Sequence, residues 1–385
     1  MSIKYKKICF IGSSRATYGY KKNIIKILNK KKNLKIYYLV TGTHVLKKYG
    51  YSIKEIIKDK IPIYKKFKIF EDEDNLSSFT LSLSKEMKIL SRIFKKIKPN
   101  ILVVTGDRAE MFIAAITAAY MKIPIAHIQS GDLSGHIDGS ARHAITKISH
   151  LHFASCEDSR KRVLKMGEES WRVFNVGAPQ LDDMNKVKDY KIFKRIKLDI
   201  NEKFFLIIFH PVIYELDEVY KQLIIILNSI NEYSFKKIII YPNIDTGNSK
   251  IINLLKKLKK FKDYRIIKNL ERLDYLALLK KATIMLGNSS SGILETPTYK
   301  IPTINLGERQ RGRVQATNII NSEFKKNQII KKINHILSNK KYAYQLSKCK
   351  NPYQIKDSSK KIANIITKII FNKSEKKLLD KKMSY

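Results

Sequence analysis

The sequence predicts an α/β protein with two doubly wound, parallel-sheet domains. Short apolar runs rich in Ile, Val, Phe and Tyr alternate with helical patterns along the chain. These runs are almost continuously apolar, as expected of parallel strands that helices cover on both faces. We count eleven such runs, which are too many for one ordinary sheet, so two sheets fit the pattern better.

Each predicted strand is followed by a turn that contains Gly, Ser, Asn or Asp. In the first half the strands are 7–12, 36–41, 101–105, 123–129, 150–155 and 173–177. In the second half they are 204–210, 237–241, 264–268, 282–286 and 301–306. The first run follows several lysines but is too short for the apolar core of a signal peptide, and we predict a strand there.

Four segments between the strands carry the signature of a helix. Apolar residues repeat at intervals of three and four over 83–97, 219–230 and 362–370, which predicts one buried face in each. Residues 109–121 form an Ala-rich segment that predicts a buried helix.

The strand pattern is interrupted near 178–190, which predicts the domain boundary. We expect a first domain over 1–180, carrying the catalytic carboxylates, and a second over 190–356, carrying the nucleotide-diphosphate contacts. The segment 357–385 begins with a helix that could cross back to the first domain.

The composition is that of a globular chain of 385 residues, with 44% hydrophobic and 29% charged residues. No apolar run reaches the ~18 residues that a membrane span needs. The three cysteines are far apart in sequence and odd in number. We therefore exclude a transmembrane protein, a disordered chain and a disulfide scaffold, and expect a cytoplasmic protein with no membrane partner.

The formal net charge of +42 raises the possibility of nucleic-acid binding. Thirteen of the 76 basic residues are arginine, and the lysines are dispersed along the chain. Nucleic-acid modules concentrate their charge and favour Arg, so we expect no nucleic-acid partner. A salt-sensitive gel shift would support that alternative, and the charge can still steer anionic substrates toward the protein.

Polar residues follow nearly every predicted strand. In open parallel sheets, ligands bind outside the carboxyl ends of the strands. The exits in the first half read GSSRATYG, TGTH, GDRAE and SGDLSGHIDGSARH, and those in the second read HPV, YPN, GNSSSGILE and GERQRGR. The opposite strand ends carry little beyond lysine. Polar and ionisable residues are therefore concentrated at the carboxyl ends of the strands, which predicts an enzyme.

Acid–base candidates lie mostly in the first half. The carboxylates at strand exits are Asp107, Glu110, Asp132 and Asp138, with Arg108 and Arg142 as neighbours. His210 ends the first strand of the second domain, and a histidine together with carboxylates can move protons near neutral pH. A helix N-cap is the alternative role for each aspartate.

Anion-binding candidates lie mostly in the second half. GNSSSGILE leaves a strand and opens a predicted helix, whose N-terminal N–H groups suit a diphosphate. Ser289 and Ser290 add hydroxyl donors, and Glu295 could accept from both ribose hydroxyls. Arg309 follows the next strand and Arg15 lies in the first loop; an ordinary serine-capped helix and surface arginines are the alternatives.

The sequence predicts no cofactor and no metal. It contains neither GxGxxG nor GxxxxGK[ST], so neither a standard dinucleotide site nor a P-loop is indicated. The spacing of His127, His143, His150 and His152 matches no compact ligand motif.

Several segments in colinear order resemble the hydrolysing UDP-N-acetylglucosamine 2-epimerases, which feed sialic acid and related nonulosonic acid pathways. They are GDR at 106–108, HIQSGDLSGHIDGSARHAITKISHLHF at 127–153, HPV at 210–212, GNSSSGILE at 287–295 and INLGERQ at 304–310. The resemblance spans about residues 7–315. It implies a GT-B-like architecture, with two Rossmann-like domains that face a central cleft.

The resemblance also implies a two-stage reaction. The sugar loses its nucleotide by anti elimination across C1 and C2, and water then adds to give the free sugar inverted at C2. The family pattern implies catalytic carboxylates at Asp107 and Asp138 and a catalytic histidine at His210. It implies nucleotide-diphosphate contacts at Arg15, Ser289, Ser290, Glu295 and Arg309. We further predict sugar-binding roles for His44, Arg108 and Arg142.

One position departs from the family pattern. Many members have a Glu where this chain has Gln129, and a glutamine cannot act as a base, although it can orient a hydroxyl or water. Either another carboxylate such as Asp132 replaces it, or the substrate differs. A related branch acts on 2,4-diacetamido-2,4,6-trideoxy sugars carried on UDP or GDP, so we expect a UDP- or GDP-linked N-acetyl amino sugar.

Two further expectations complete the sequence-based picture. A GT-B glycosyltransferase would use the same nucleotide-binding edge but would pass the sugar to an acceptor, and the dense carboxylates of the first domain disfavour it. The resemblance also leads us to expect a homodimer or homotetramer.

Overall fold

The computed structural model describes residues 5–70, 74–188 and 190–382. Thirteen parallel strands lie in this part of the chain. They are β1 (Lys6–Gly12), β2 (Leu34–Val40), β3 (Ile63–Lys66), β4 (Ile101–Thr105), β5 (Ile125–Ile128), β6 (Leu151–Ala154), β7 (Val173–Asn175), β8 (Phe204–Ile208), β9 (Lys236–Ile240), β10 (Tyr264–Ile267), β11 (Ile284–Gly287), β12 (Thr303–Leu306) and β13 (Ile319–Ser322).

Sixteen α-helices lie in the same described ranges. They are α1 (Arg15–Leu28), α2 (Ile53–Lys58), α3 (Leu76–Ile97), α4 (Ala109–Tyr120), α5 (Ile137–Ile148), α6 (Glu157–Lys165), α7 (Lys191–Arg195), α8 (Val219–Ile230), α9 (Asn248–Leu258), α10 (Arg272–Lys281), α11 (Ser291–Leu294), α12 (Thr296–Tyr299), α13 (Lys326–Ser338), α14 (Lys340–Ser347), α15 (Ser358–Asn372) and α16 (Glu375–Leu379). Short 3₁₀ segments occur at Gly42–Val45, Lys47–Tyr49, Ser170–Arg172, Pro179–Lys186 and Ile213–Glu215. Within the described part of the chain, every helix is too short or too polar to cross a lipid bilayer.

The strands form two separate sheets. The first has seven strands in the order β3-β2-β1-β4-β5-β6-β7, and the second has six in the order β10-β9-β8-β11-β12-β13. In each sheet the strand order reverses once, between β1 and β4 and between β8 and β11. These are the switch points at which doubly wound sheets bind ligands, and the predicted fold class is confirmed.

All eleven predicted strands are present, and the prediction missed β3 and β13. β3 is an edge strand of four residues whose sequence, Ile-Tyr-Lys-Lys, is mostly exposed. β13 is an edge strand of four residues in which only Ser322 is fully buried. Edge strands need less apolar sequence because one side faces solvent, so the apolar runs that marked the other strands are absent here.

The four predicted helices correspond to α3, α4, α8 and α15. Helix α3 begins at an N-cap, because the Asn75 side chain accepts a hydrogen bond of 2.8 Å from the Ser78 N–H. The helix predicted at the start of the segment 357–385 is α15, and the structure adds the shorter helix α16 after it.

The chain divides into two compact units. The first holds the described residues up to Leu133, Ile137–Asp182 and the described residues from Tyr353 onward. The second holds Ser134–His136 and Asp183–Pro352. Helix α15 therefore belongs to the first unit, although it follows the whole second sheet in sequence. The division of catalytic and nucleotide-binding roles between two domains stays a prediction.

Helix α15 completes the core of the first unit. Its residues Ile362, Ile366 and Ile370 are buried in one apolar cluster with Ile8 and Phe10 of β1. The same cluster contains Ile24, Ile25 and Leu28 of α1, and Trp171 packs against its edge. The first sheet thus depends on apolar area that the end of the chain supplies.

We expect Ile366→Ala to destabilise the first unit by about 2–5 kcal/mol, because it leaves a cavity in this core. Trp171 is the one tryptophan of the chain and packs against the same cluster, so its fluorescence during urea unfolding reports on this unit. Lys368→Ala, at an exposed position of α15, is the control and should shift the midpoint little. A loss below about 1 kcal/mol for Ile366→Ala would contradict the packing role of α15.

Candidate functional site

The exits of β4 and β5 in the first unit are joined by Arg142 of α5. Its guanidinium is 1% exposed, contacts the Asp107 carboxylate through Nη2, and donates from Nη1 to the Gln129 carbonyl oxygen at 3.0 Å. A buried arginine requires such partners, because an unpaired charge in the interior is costly. Arg142 therefore fixes the positions of Asp107 and Gln129 relative to each other.

His127 of β5 lies beneath these exits as a neutral ring. Its Nε2 is 2.7 Å from the Gly106 carbonyl oxygen, which can only accept, so Nε2 carries the proton. Its Nδ1 is 3.2 Å from the Thr146 hydroxyl of α5. Burial lowers the pKa of His127 to about 3, although the Gly106 carbonyl favours the charged ring. His127 therefore ties β4 and α5 together and carries no charge near neutral pH.

Gln129 and Asp132 are both buried at the exit of β5. Gln129 has a φ of 65°, which is in the left-handed region, and its Nε2 has no hydrogen-bond partner among the described residues. The Asp132 Oδ1 accepts from the Ser155 hydroxyl at 2.5 Å and from the Ser159 hydroxyl at 2.7 Å. Asp132 is thus anchored to the exit of β6 through Oδ1, whereas its Oδ2 and the Gln129 Nε2 have no hydrogen-bond partner in the part of the chain that the structure describes.

Asp138 is half-buried in the first turn of α5. The alternative N-cap role for this residue is not what the structure shows, because Asp138 is the second residue of the helix. A carboxylate in the first turn is stabilised by the partial positive charge of the helix N-terminus. Asp138 and Arg142 lie one turn apart on the same helix.

The three predicted sugar contacts of the first unit are buried and bonded within the protein. Arg108 Nε is 3.3 Å from both carboxylate oxygens of Glu110, and His44 Nδ1 is 2.8 Å from the Ser52 hydroxyl. Burial lowers the pKa of His44 to about 3, so this ring is neutral. With Arg142, these residues hold the strand exits, and their direct contact with a sugar stays a prediction. Arg15 is half-buried at the first position of α1.

In the second unit, Asn288 holds the backbone of His210. The Asn288 side chain accepts from the His210 N–H and donates to the His210 carbonyl oxygen, both at 2.8 Å. The Asn243 N–H donates to the His210 Nδ1 at 3.2 Å. Because Nδ1 accepts this bond, the neutral ring carries its proton on Nε2. The exits of β8, β9 and β11 thus fix both the position and the tautomer of His210.

The same asparagine also organises the exit of β12. The backbone carbonyl oxygen of Asn288 accepts from Arg309 Nη1 at 3.2 Å and from Gln310 Nε2 at 2.9 Å. Arg309 therefore lies beside the β11 exit, which carries Ser289 and Ser290. The structure brings these three predicted anion-binding residues together at one edge of the second sheet.

Glu295 is buried in an ion pair that the sequence analysis did not include. Its Oε1 is 2.6 Å from Arg272 Nη2, and its Oε2 accepts from the Ser291 hydroxyl at 2.5 Å. Burial opposes the charge of Arg272, but the Glu295 carboxylate outweighs it and the pKa of Arg272 is raised. Both Glu295 oxygens thus have protein partners, and the predicted contact with ribose stays a prediction.

The helix predicted after GNSSS is shorter than expected. Helix α11 spans four residues, Glu295 interrupts the helical run, and α12 spans four more with Pro297 in its first turn. Pro297 has no N–H to donate to the Ile293 carbonyl oxygen, and its ring crowds that carbonyl, so one continuous helix is disfavoured here. A long helix dipole is therefore absent, and hydroxyl groups and Arg309 are the stronger anion-binding features of this edge.

Three residues of this unit were missed as organising residues: Asn243, Arg272 and Asn288. Asn288 lies inside the quoted GNSSSGILE segment, so its position after a strand was a usable signal. Arg272 and Asn243 follow other strands, and no spacing in the sequence pairs them with Glu295 or His210.

Two doubly wound sheets, with polar and ionisable residues at the carboxyl ends of their strands, define a GT-B-like α/β enzyme. More particularly, the chain belongs to the UDP-N-acetylglucosamine 2-epimerase family, whose sequence pattern matches residues 26–367.

Named relatives are similar over most of the chain. A UDP-N,N'-diacetylbacillosamine 2-epimerase (hydrolyzing) of Legionella pneumophila is 32% identical over 342 residues, covering 88% of this chain and 91% of the relative. A GDP/UDP-N,N'-diacetylbacillosamine 2-epimerase (hydrolyzing) of Campylobacter jejuni is 35% identical over 325 residues, covering 83% and 84%. A crystal structure of UDP-GlcNAc 2-epimerase from Neisseria meningitidis bound to UDP-GlcNAc has a TM-score of 0.81 at 21% identity, covering 94% of this chain and all of that chain. That structural likeness supports the fold.

We expect His127→Gln to flatten the acid limb of the stability profile. His127 has a pKa of about 3 in the folded protein, whereas an unfolded histidine titrates near 6.5. Between these values the unfolded chain binds one proton more, so this residue removes up to ~1.4 kcal/mol of stability per pH unit as the pH falls. Glutamine keeps a donor and an acceptor but does not titrate.

Urea unfolding at several pH values between 6.5 and 4.5 measures this slope. His335→Gln, at an exposed position of α13, is the control and should keep the slope of the wild-type protein. Equal slopes for wild type and His127→Gln would show that His127 is not held neutral.

Proposed function

We propose that the protein is a hydrolysing nucleotide-sugar 2-epimerase that acts on a UDP- or GDP-linked N-acetylated amino sugar. The observation that carries this proposal is the family match over residues 26–367, which includes the loaded exits of both sheets from β4 onward. Asp107, Asp138 and His210 lie within that span. The GT-B glycosyltransferase alternative shares the fold but not the family.

The proposed reaction breaks two bonds of the sugar and consumes one water. A base removes the C2 proton while the bond between C1 and the diphosphate oxygen breaks, so the nucleoside diphosphate leaves. Water then delivers its hydroxyl to C1, and a proton returns to the opposite face of C2. The products are the nucleoside diphosphate and the free sugar inverted at C2. Because a C2 proton is weakly acidic, the enzyme must also assist departure of the diphosphate.

The geometry supports different roles for the two aspartates. We propose Asp138 as the acid–base group that faces the sugar, because it is half-buried in the first turn of α5, at the exit of β5, one helical turn from Arg142. Asp107 is paired with the buried Arg142, which holds its carboxylate in one orientation. We propose that Asp107 acts as the second carboxylate, as a base or by stabilising positive charge.

We propose that His210 and the anion-binding residues at the strand exits of the second sheet assist departure of the nucleotide. His210 presents Nε2–H, because Nδ1 accepts from the Asn243 N–H. That donor can stabilise charge on the departing diphosphate, together with Arg309 and the hydroxyls of Ser289 and Ser290. We propose that Arg15 contributes a further positive charge from the first unit and that Glu295 holds the ribose side of the site through its pair with Arg272.

The surroundings of Gln129 favour a role in positioning the substrate over the alternative that this position has lost its function. Its Nε2 donors have no acceptor among the described residues, in a side chain that is 4% exposed. A buried donor without a partner costs about 1–3 kcal/mol, so a substrate oxygen that accepts from it would be bound with that much gain. We propose that Gln129 binds an acetamido oxygen or hydroxyl of the sugar, and that Asp132 is structural.

We propose the 2,4-diacetamido-2,4,6-trideoxy sugar as the preferred substrate. Relatives of Legionella and Campylobacter that bear diacetylbacillosamine in their names are 32% and 35% identical to this chain. The product would then enter nonulosonic acid biosynthesis. We also propose a cytoplasmic location and a homodimer or homotetramer.

Mass spectrometry of the products formed from a panel of UDP- and GDP-linked amino sugars in labelled water tests the reaction. In D₂O the free sugar should gain one deuterium at C2, and in H₂¹⁸O it should gain one ¹⁸O at C1, because solvent supplies both groups. We expect the diacetamido sugar to react faster than the N-acetylglucosamine analogue. Simple hydrolysis would give ¹⁸O without deuterium, and transfer of the sugar to an added acceptor without inversion would support a glycosyltransferase.

We expect Asp138→Asn to lower kcat by about 10²–10⁴-fold, the usual cost of removing an acid–base group. The affinity for UDP should change little, because the nucleotide contacts are proposed on the second unit and at Arg15, not at Asp138. Asp158→Asn is a matched control, since Asp158 is also a carboxylate in the first turn of a helix but is exposed. Near-normal turnover for Asp138→Asn, measured by UDP release, would contradict this assignment.

A further inference from the structure

Four charged residues are buried behind the exits of β1 and β4, at the switch point of the first sheet. Lys21, Glu86 and Glu110 are 0% exposed and Arg108 is 9% exposed. They come from α1, α3, α4 and the residue before α4, and we call them the buried charge cluster. The proposed reaction gives none of them a direct contact with the reacting atoms, although Arg108 directly follows Asp107 in sequence.

The cluster contacts both strand exits. The Lys21 ammonium donates to the Ile11 carbonyl oxygen of β1 at 2.6 Å, shortly before the loop that carries Arg15. Arg108 Nε lies 3.3 Å from both carboxylate oxygens of Glu110, which withdraws the guanidinium into the interior. Burial lowers the pKa of Lys21 to about 7, and the Glu110 carboxylate opposes that shift. Glu110 thus interacts with Lys21, near the exit of β1, and with Arg108, at the exit of β4.

The two glutamates of the cluster differ in their partners. Glu110 contacts the Arg108 guanidinium directly, whereas neither carboxylate oxygen of Glu86 has a hydrogen-bond partner among the described residues. Burial and the neighbouring Glu110 carboxylate raise the pKa of Glu86 well above its usual value, although Arg108 acts in the opposite direction. Glu110 is therefore the glutamate that pairs with a cation of the cluster.

We propose that Glu110 is a positioning residue for the proposed active site: its carboxylate holds Arg108 by direct contact and Lys21 by charge, and so fixes the loops that carry Asp107 and Arg15. This inference rests on the proposed function, because it assumes that these loops act on the nucleotide sugar. Loss of the carboxylate removes this contact from the buried Arg108 guanidinium and removes the charge that favours the protonated form of Lys21. The β1 and β4 exits would then no longer be held in one arrangement.

Glu110→Gln tests this role, with Glu86→Gln as the matched control. Both variants replace a fully buried glutamate by its neutral isostere, on helices that pack together. We expect Glu110→Gln to lower kcat/KM by about 10–100-fold, with a lower kcat and a higher KM for the nucleotide sugar, because both loops are affected. Glu86→Gln should stay within about twofold of wild type, since the Glu86 oxygens hold no partner among the described residues. Glu110→Asp, which keeps the charge, should recover part of the loss.

Circular dichroism and thermal unfolding, run in parallel, give the fraction of folded protein, so activity is compared per folded molecule. Equal losses for Glu86→Gln and Glu110→Gln, or a Glu110→Gln enzyme with kcat and KM within twofold of wild type, would overturn the proposal. If Glu110→Gln does not fold, Lys21→Met tests the β1 side: a KM raised at least fivefold supports the proposal, and an unchanged KM overturns it. Absence of turnover in wild type would instead count against the proposed function.

Discussion

The contacts of the buried Arg142 guanidinium hold together the strand exits that we propose as the catalytic edge of the first unit. It contacts the Asp107 carboxylate and the Gln129 carbonyl, so one side chain of α5 sets the exits of β4 and β5. An arginine that is 1% exposed cannot give up either partner without a large cost, because it cannot lose its proton. The position of Asp107 therefore depends on the packing of α5. His127 supports that packing through its hydrogen bond with the Thr146 hydroxyl of α5.

In the second unit, a neutral side chain holds the strand exits in position. Asn288 binds both the N–H and the carbonyl of His210, and its own carbonyl accepts from Arg309 and Gln310. Amide groups satisfy a strand exit without bringing charge to it, so the cationic side chain of Arg309 keeps its attraction for an anion. The first unit thus uses a buried charge to hold carboxylates in place. The second unit uses amides to hold a histidine and an arginine.

The fold was predictable because parallel strands buried on both faces leave continuous apolar runs in the sequence. The runs failed to mark β3 and β13, which lie at the edges of their sheets. The site was predictable to the level of strand exits, since Asp107, Gln129, His210 and Arg309 all follow strands. Their partners were not predictable. The pairing of Arg272 with Glu295 depends on the start of α10 meeting the junction between α11 and α12 in space. The contact of Arg108 with Glu110 depends on how deeply α4 is buried in the unit.

Burial separates residues that face a ligand from residues that hold the site. His44, Arg108 and Arg142 have the chemistry of sugar-binding residues, yet each is buried against a partner in its own unit. Asp138 and Arg15 are half-buried at helix starts, where a side chain can reach solvent and a ligand. The positive charge follows the same division: the dispersed lysines are mostly exposed, whereas the buried Arg108 and Arg142 are paired with Glu110 and Asp107. Surface charge can attract an anionic ligand from a distance, but the buried pairs determine where the strand exits are held.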